Sequence, residues 1–239
     1  MTIQYDGSAF FGWQLQARER TVQGVIENAI QSICKAENRI PIHGAGRTDT
    51  GVHAFGQVAH VELPIHWDTD DLINALNGNL PLDCRIRNVE KVEADFQARF
   101  DAQKRHYTYQ CYVGDSILFK NQSWKIKEVE LGILNSLASE LVGDHDFLSF
   151  SKYRDDIKHT RCIIHKSQWN SDGKMVIFAI TGNRFLHHMV RYLVGTMIAV
   201  AEGRFSTKDF NQLLNNPQKN VRLFKAPPEG LILEKVDYE

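Results

Sequence analysis

Residues 43–60 read His-Gly-Ala-Gly-Arg-Thr-Asp-Thr-Gly-Val-His-Ala-Phe-Gly-Gln-Val-Ala-His. One carboxylate, Asp49, stands between two threonines, with Arg47 just before it. Gly44, Gly46 and Gly51 permit backbone angles that other residues resist, so a tight turn can present Asp49. Arg47 and the loop amides would favour its ionised form. Spacing alone fits a strand-connecting turn equally well, because Gly, Asp and Thr are ordinary turn material.

The flanking segments mix strands and helices. Residues 1–5 read as a strand turning at Asp6-Gly7. Thr21 offers an N-cap, and Val22, Val25, Ile26, Ala29, Ile30 and Ile33 follow at helical spacing, which predicts a helix over 22–36. Loop and strand alternate over 40–63. A short helix is expected over 70–77, ended by Asn77-Gly78, with strands over 84–92 and 105–113. The second half follows with a helix over 128–142 ending at Gly143. Strands over 160–169 and 174–181 are joined by a turn at 171–173. A long helix is expected over 185–202, a short one capped by Ser206 or Thr207, and a closing strand over 231–236. Without strict βαβ alternation, the pattern predicts an α+β fold with a mostly antiparallel sheet. We divide it into an N-terminal half, 1–100, carrying the Asp49 loop, and a C-terminal half, 101–239.

Composition excludes several classes. The chain has 239 residues and a formal net charge of −1, so bulk charge announces no partner. No apolar run reaches membrane-spanning length and no secretory signal is present. Cys34, Cys84, Cys111 and Cys162 are scattered without a CxxC pair, which points to a reducing cytosol and against a structural zinc site. His187 and His188, read as helix neighbours, would point about 100° apart and share no metal ion. Lys152, Arg154, Lys158, His159, Arg161, His165 and Lys166 crowd one segment, and Arg99, Lys104, Arg105 and His106 form a second. Such clusters on a neutral chain fit either a solvated surface or a localised anion-binding face.

Asp49-Thr50-Gly51 also matches the Asp-Thr-Gly of aspartic proteases, in which two carboxylates share a proton. Arg47 and Thr48 argue against that reading, since a cation beside the dyad opposes proton sharing. The longer run Gly46-Arg47-Thr48-Asp49-Thr50-Gly51-Val52-His53-Ala54 resembles the signature of the tRNA pseudouridine synthase A family. The likeness covers most of the chain. It includes Tyr5-Asp6-Gly7, Phe11-Gly12-Trp13-Gln14, Thr21-Val22-Gln23-Gly24, Asn77-Gly78-Asn79-Leu80-Pro81 and Asp95-Phe96-Gln97-Ala98-Arg99-Phe100. It continues through Arg105-His106-Tyr107-Thr108-Tyr109, Gly143-Asp144-His145-Asp146-Phe147, Phe185 to Arg191, and Pro228-Glu229-Gly230-Leu231. Thr50, where the family often has Ala, and His106, where it often has Arg or Tyr, depart from the pattern. The chain also begins inside the family's first strand, which is expected to weaken a sheet edge.

The resemblance implies the pseudouridine synthase fold, with helices flanking the sheet and two similar-style halves around a central cleft. It implies isomerisation of uridine to pseudouridine at positions 38, 39 and 40 of the tRNA anticodon stem-loop. Asp49 then matches the nucleophile, Tyr107 the residue that stacks on the target base, and Arg191 the partner of the carboxylate. Arg47 matches an arginine that assists nucleotide flipping, and His53 and Arg105 join it as substrate-binding candidates. A flipped uridine needs an aromatic platform, and a charged Arg191 inside an apolar helix needs a counter-charge. No metal or cofactor is expected. A cytoplasmic homodimer is. The alternative is a tRNA-binding or folding protein without isomerase activity.

Overall fold

The structure, a computed structural model, describes residues 1–64, 66–153 and 159–239. In chain order its elements are β1 (Thr2–Tyr5), α1 (Val22–Cys34), β2 (His43–Gly44), β3 (His53–His60), α2 (Thr69–Asn79) and β4 (Cys84–Asn88). Then come β5 (Lys104–Val113), β6 (Trp124–Ile126), α3 (Leu131–Ser139), β7 (Gly143–Asp146), β8 (Arg161–Asp172) and β9 (Met175–Gly182). α4 (Met189–Ala201), α5 (Thr207–Asn215) and β10 (Leu231–Asp237) complete the chain. The class is α+β with a mostly antiparallel sheet. Two compact units divide it: Met1–Gln103 with Ile232–Glu239, and Lys104–Leu231. The C-terminal strand therefore lies in the first unit, apart from the residues that precede it in sequence.

In the first unit the strand order is β4-β1-β3-β10, with β2 added on β3. β1 is antiparallel to both neighbours, and β10 runs parallel to β3 through Ile232↔His53 and Leu233↔Ala54. β1 is thus an inner strand, and the expected weak edge does not arise there. Its alternation buries Ile3 and Tyr5. Thr21 caps α1 by accepting from the Gly24 amide at 3.2 Å, and Lys35 ends it in the left-handed region. Val22, Ile26, Ala29 and Ile30 fill its buried stripe. Each fully buried aliphatic side chain stabilises by about 1.5–3 kcal/mol.

In the second unit the order is β5-β9-β8-β7, with β6 parallel to the end of β5. α3 packs on β8 and α4, and α5 lies against β7. Tyr109, Trp169, Phe178, Leu193, Met197 and Phe210 are fully buried there.

Several boundaries differ from the expectation. α2 continues through Asn77-Gly78, because Asn77 is held by both the amide and the carbonyl of Ile86. β4 stops at Asn88, whose partner is Thr2, the first residue of β1. α3 spans only Leu131–Ser139, and Gly143, at φ +120°, opens β7 rather than ending a helix. The β8–β9 turn is Gly173-Lys174, with Asp172 still paired to Met175. α4 begins at Met189, because His188 sits at φ +63° and breaks the helical path. His187 and His188 therefore precede the helix, with rings 4.0 Å apart, and the helical-spacing argument against a shared ion does not apply to them.

Among the described residues no helix is long and apolar enough to cross a membrane. The four cysteines are free, and burial pushes the Cys84 and Cys162 thiols up to about 12.

His60 makes one pH dependence of folding explicit. Its Nδ1 accepts from the Ala98 amide at 3.0 Å, and its ring stacks on His43. Burial, then the charge of His43 and the Met1 ammonium, lower its pKa below 6.5, against weaker opposition from Glu62 and Asp101. A lowered histidine pKa contributes stability above the unfolded value, which is lost as pH falls below it. We predict that the urea midpoint drops more between about pH 7.5 and about pH 5.5 in the wild type than in His60→Gln.

Candidate active site

The Asp49 loop belongs to the first unit, and backbone bonds hold it. Val52 N–H donates to Asp49 O at 3.2 Å, closing a four-residue turn. Gly51, third in that turn, has φ +79°, the angle a type II turn requires there. Gly44 and Gly46 lie outside the positive-φ region, so their expected conformational role is corrected. A Cβ on Gly44 would meet the Trp13 ring at 2.6 Å, and Gly46 offers its carbonyl to Gln57 Nε2 at 2.9 Å.

A second loop lies along the first. Trp13 N–H donates to Thr48 O at 3.1 Å, and Gly51 N–H to Phe10 O at 3.3 Å. The two bonds bracket Asp49 on either side. Between them Gly12, at φ +84°, comes so close that a Cβ would sit 2.6 Å from Thr48 O. Tyr5 Oη and Thr48 Oγ1 lie 2.8 Å apart in the interior. The loop is tied in turn to α1. Gln23 is 5% exposed; its Oε1 accepts from Leu15 N–H and Gln14, and its Nε2 donates to Glu27 and Ile42 O. Glu27, 3% exposed, also accepts from the Arg39 guanidinium and the Ile42 amide. A buried carboxylate persists only with such a full set of partners.

His53 is buried on β3. Its Nδ1 accepts from the Gly7 amide at 3.1 Å and lies 3.2 Å from Asp6 Oδ1. Accepting at Nδ1 places the neutral ring's proton on Nε2. Its visible work is to fix the Gly7 turn, where a Cβ would collide with Val52 O at 2.1 Å. Asp49 is half-buried; Arg47 and Thr50 are exposed.

The second unit carries the other sequence-derived residues. Tyr107 is half-buried on β5 opposite Ile180, and its ring meets Phe185 edge-on at 5.1 Å. Arg105 donates to Asn183 O at 2.7 Å, and His106 Nδ1 lies 3.0 Å from Thr181 Oγ1. Arg191 is 7% exposed on α4 and donates from Nε to Ala226 O at 2.9 Å, while its carbonyl accepts from Ala226 N–H. One turn later a Cβ on Gly195 would meet Phe224 O at 2.3 Å, so the 224–226 segment is seated on the helix at Arg191. Tyr109 Oη donates to Pro227 O, and Gly230 lies against the Tyr109 ring. Burial pushes the Tyr109 phenol well above its ordinary range, so it stays a donor.

Of the basic segment over 152–166, Arg154 and Lys158 lie outside the described residues. Arg161 pairs with Asp144 at 3.1 Å, and His159 lies 3.3 Å from Arg184. His165 and Lys166 are exposed on β8.

The family described as tRNA pseudouridine synthase matches residues 1–101 and 137–239. The chain belongs to the tRNA pseudouridine synthase family. It is an isomerase of that class. Similar curated proteins carry the name tRNA pseudouridine synthase A. The one from Chlorobium limicola is 39% identical over 99% of this chain and 97% of its own length. Those from Bradyrhizobium sp. and Bacillus licheniformis are 37% and 34% identical, each over 100% of this chain and 98% of their own lengths.

The sequence reading missed Gly12, Gln23, Glu27 and Gln57 as supports of this family's Asp-bearing loop. Gly12 and Gln23 stand inside the family-like runs 11–14 and 21–24, whereas Glu27 and Gln57 had no signal. We predict that Gly12→Ala folds but lowers kcat by about 10- to 100-fold with near-normal tRNA affinity, because a displacement of about 1 Å at the carboxylate is enough. Single-turnover rates measured beside filter-binding affinities check this.

Proposed function

We propose that this chain isomerises uridines at positions 38, 39 or 40 of the tRNA anticodon stem-loop, with Asp49 as the nucleophile. The observation that carries the reading is the Asp49 turn, closed by its own hydrogen bond and braced on both sides by the Phe10–Trp13 backbone. A carboxylate held in this way keeps its orientation through a reaction that needs orientation above all.

In the reaction the C1′–N1 bond breaks, the base rotates, and a C1′–C5 bond forms. The C5 proton leaves to solvent, N1 takes up a proton in its place, and no net redox change occurs. Asp49 attacks C1′ or C6, or assists proton removal at C2′. Tyr107 serves as the platform for the flipped uracil, worth about 1–3 kcal/mol by stacking. Its edge-on contact with Phe185 supports a fixed ring plane. Arg191 is the cation assigned to the catalytic carboxylate. Its burial and its double link to Ala226 support a positioned guanidinium rather than a surface one. Arg47 helps expel the uridine from its stack. His53 contributes to substrate binding through the Gly7 turn, and Arg105 through the Asn183 backbone. Exposed cations of the 99–106 and 152–166 segments meet phosphates, which makes binding salt-sensitive. The enzyme works as a homodimer in the cytoplasm.

Tritium release from tRNA labelled at uridine C5 tests this. Wild type is expected to release label, and Asp49→Asn to lose at least about three orders of magnitude while still binding tRNA. Equal release by the two proteins refutes the nucleophile. Binding without release by wild type favours the non-catalytic alternative.

A further inference from the structure

Phe11 lies between two buried aromatics and is not buried. Phe10 is 1% exposed and Trp13 2%, yet Phe11 is 48% exposed. It is not loose. Its amide donates to Arg20 O at 2.8 Å, its carbonyl accepts from Gln16 Nε2 at 2.9 Å, and Val22 N–H closes on Gly12 O at 3.1 Å. Within the loop, Phe10 O and Trp13 N–H bond to the residues that flank Asp49. Phe11 is therefore an apolar ring exposed to water on backbone that is fixed to the nucleophile's own turn.

Holding a large apolar ring in water on a loop bonded to the Asp49 turn brings the fold no stability. The neighbouring aromatics, by contrast, fill the interior. Exposed Arg18 and Arg47 stand on the two loops that these bonds join, and Arg20 is engaged with Asp83. A fixed, exposed aromatic face on joined loops that also carry exposed cations fits the recognition of an unstacked nucleobase.

We propose that Phe11 is a substrate-binding residue that stacks on a nucleobase adjacent to the reacting uridine, opposing the return of the flipped strand to its helix. This rests on the reading of Asp49 as the nucleophile. The occupant is a base of the RNA substrate, and the contact adds to the one assigned to Tyr107. Because the ring meets a π-face and no phosphate, its contribution is independent of salt.

The test measures KM, kcat and equilibrium tRNA affinity for wild type, Phe11→Ala and Phe11→Tyr, with affinity followed over a salt series. Phe11→Ala is expected to raise KM and Kd by about tenfold, to leave kcat within about threefold, and to leave the salt slope unchanged. Phe11→Tyr restores most of the affinity, whereas Arg47→Ala flattens the slope by about one. Because Phe11 is half-exposed, thermal melts of the variants are expected to match wild type. Wild-type KM and Kd in Phe11→Ala, or a change of oligomeric state in place of a change in affinity, overturns the proposal. Wild-type enzyme that forms no pseudouridine refutes the Asp49 reading instead, and the affinity series still decides whether Phe11 touches RNA.

Discussion

A carboxylate at the tip of a turn is only as well placed as the backbone beneath it, and here that backbone is held by a neighbouring loop at van der Waals limit. Gly12 makes the approach possible. With a Cβ at that position, Thr48 O would be overlapped and the bonds on either side of Asp49 could not form together. The Phe10–Trp13 loop is anchored in turn to α1 through Gln23, and Gln23 shares the buried Glu27 with Arg39 and Ile42. Each group in this chain of contacts satisfies a polar atom that burial would otherwise penalise. The site is thus continuous with the polar interior of the first unit.

The second unit solves a related problem with other means. Arg191 is the one charged residue of α4, and the 224–226 segment crosses that helix at its level because Gly195 leaves room. The Pro228-Glu229-Gly230-Leu231 run then closes on Tyr109, two residues past Tyr107 on the same strand. The strand that carries Tyr107 and the helix that carries Arg191 are held by one path of backbone contacts within that unit.

How much of this was legible depends on the range of each interaction. The Thr21 cap, the apolar stripe of α1 and the tyrosine-rich run of β5 are local, and they stand in the sequence plainly. Asp49 and Arg47 stand out in the sequence through the family resemblance of the 46–54 run, since their spacing alone also fits a plain turn. Their supports do not, because Tyr5 meets Thr48 across 43 positions and Gln57 reaches back 11 to Gly46. Gly51 was read correctly, since its backbone angle is the one a turn demands, but Gly44 is required by the Trp13 ring, a cause not written in the letter. The start of α4 was misplaced because Phe185 and Leu186 extend the apolar pattern, while the left-handed His188 interrupts the helix.

The account is tested most directly in the cell. Pseudouridines are mapped across all tRNAs from a strain lacking this chain, and from the same strain supplied with wild type or with Asp49→Asn. We predict that pseudouridine disappears from positions 38–40 of the anticodon stem-loop, returns with wild type, and stays absent with Asp49→Asn. An unchanged map in the deleted strain, or full restoration by Asp49→Asn, would contradict it.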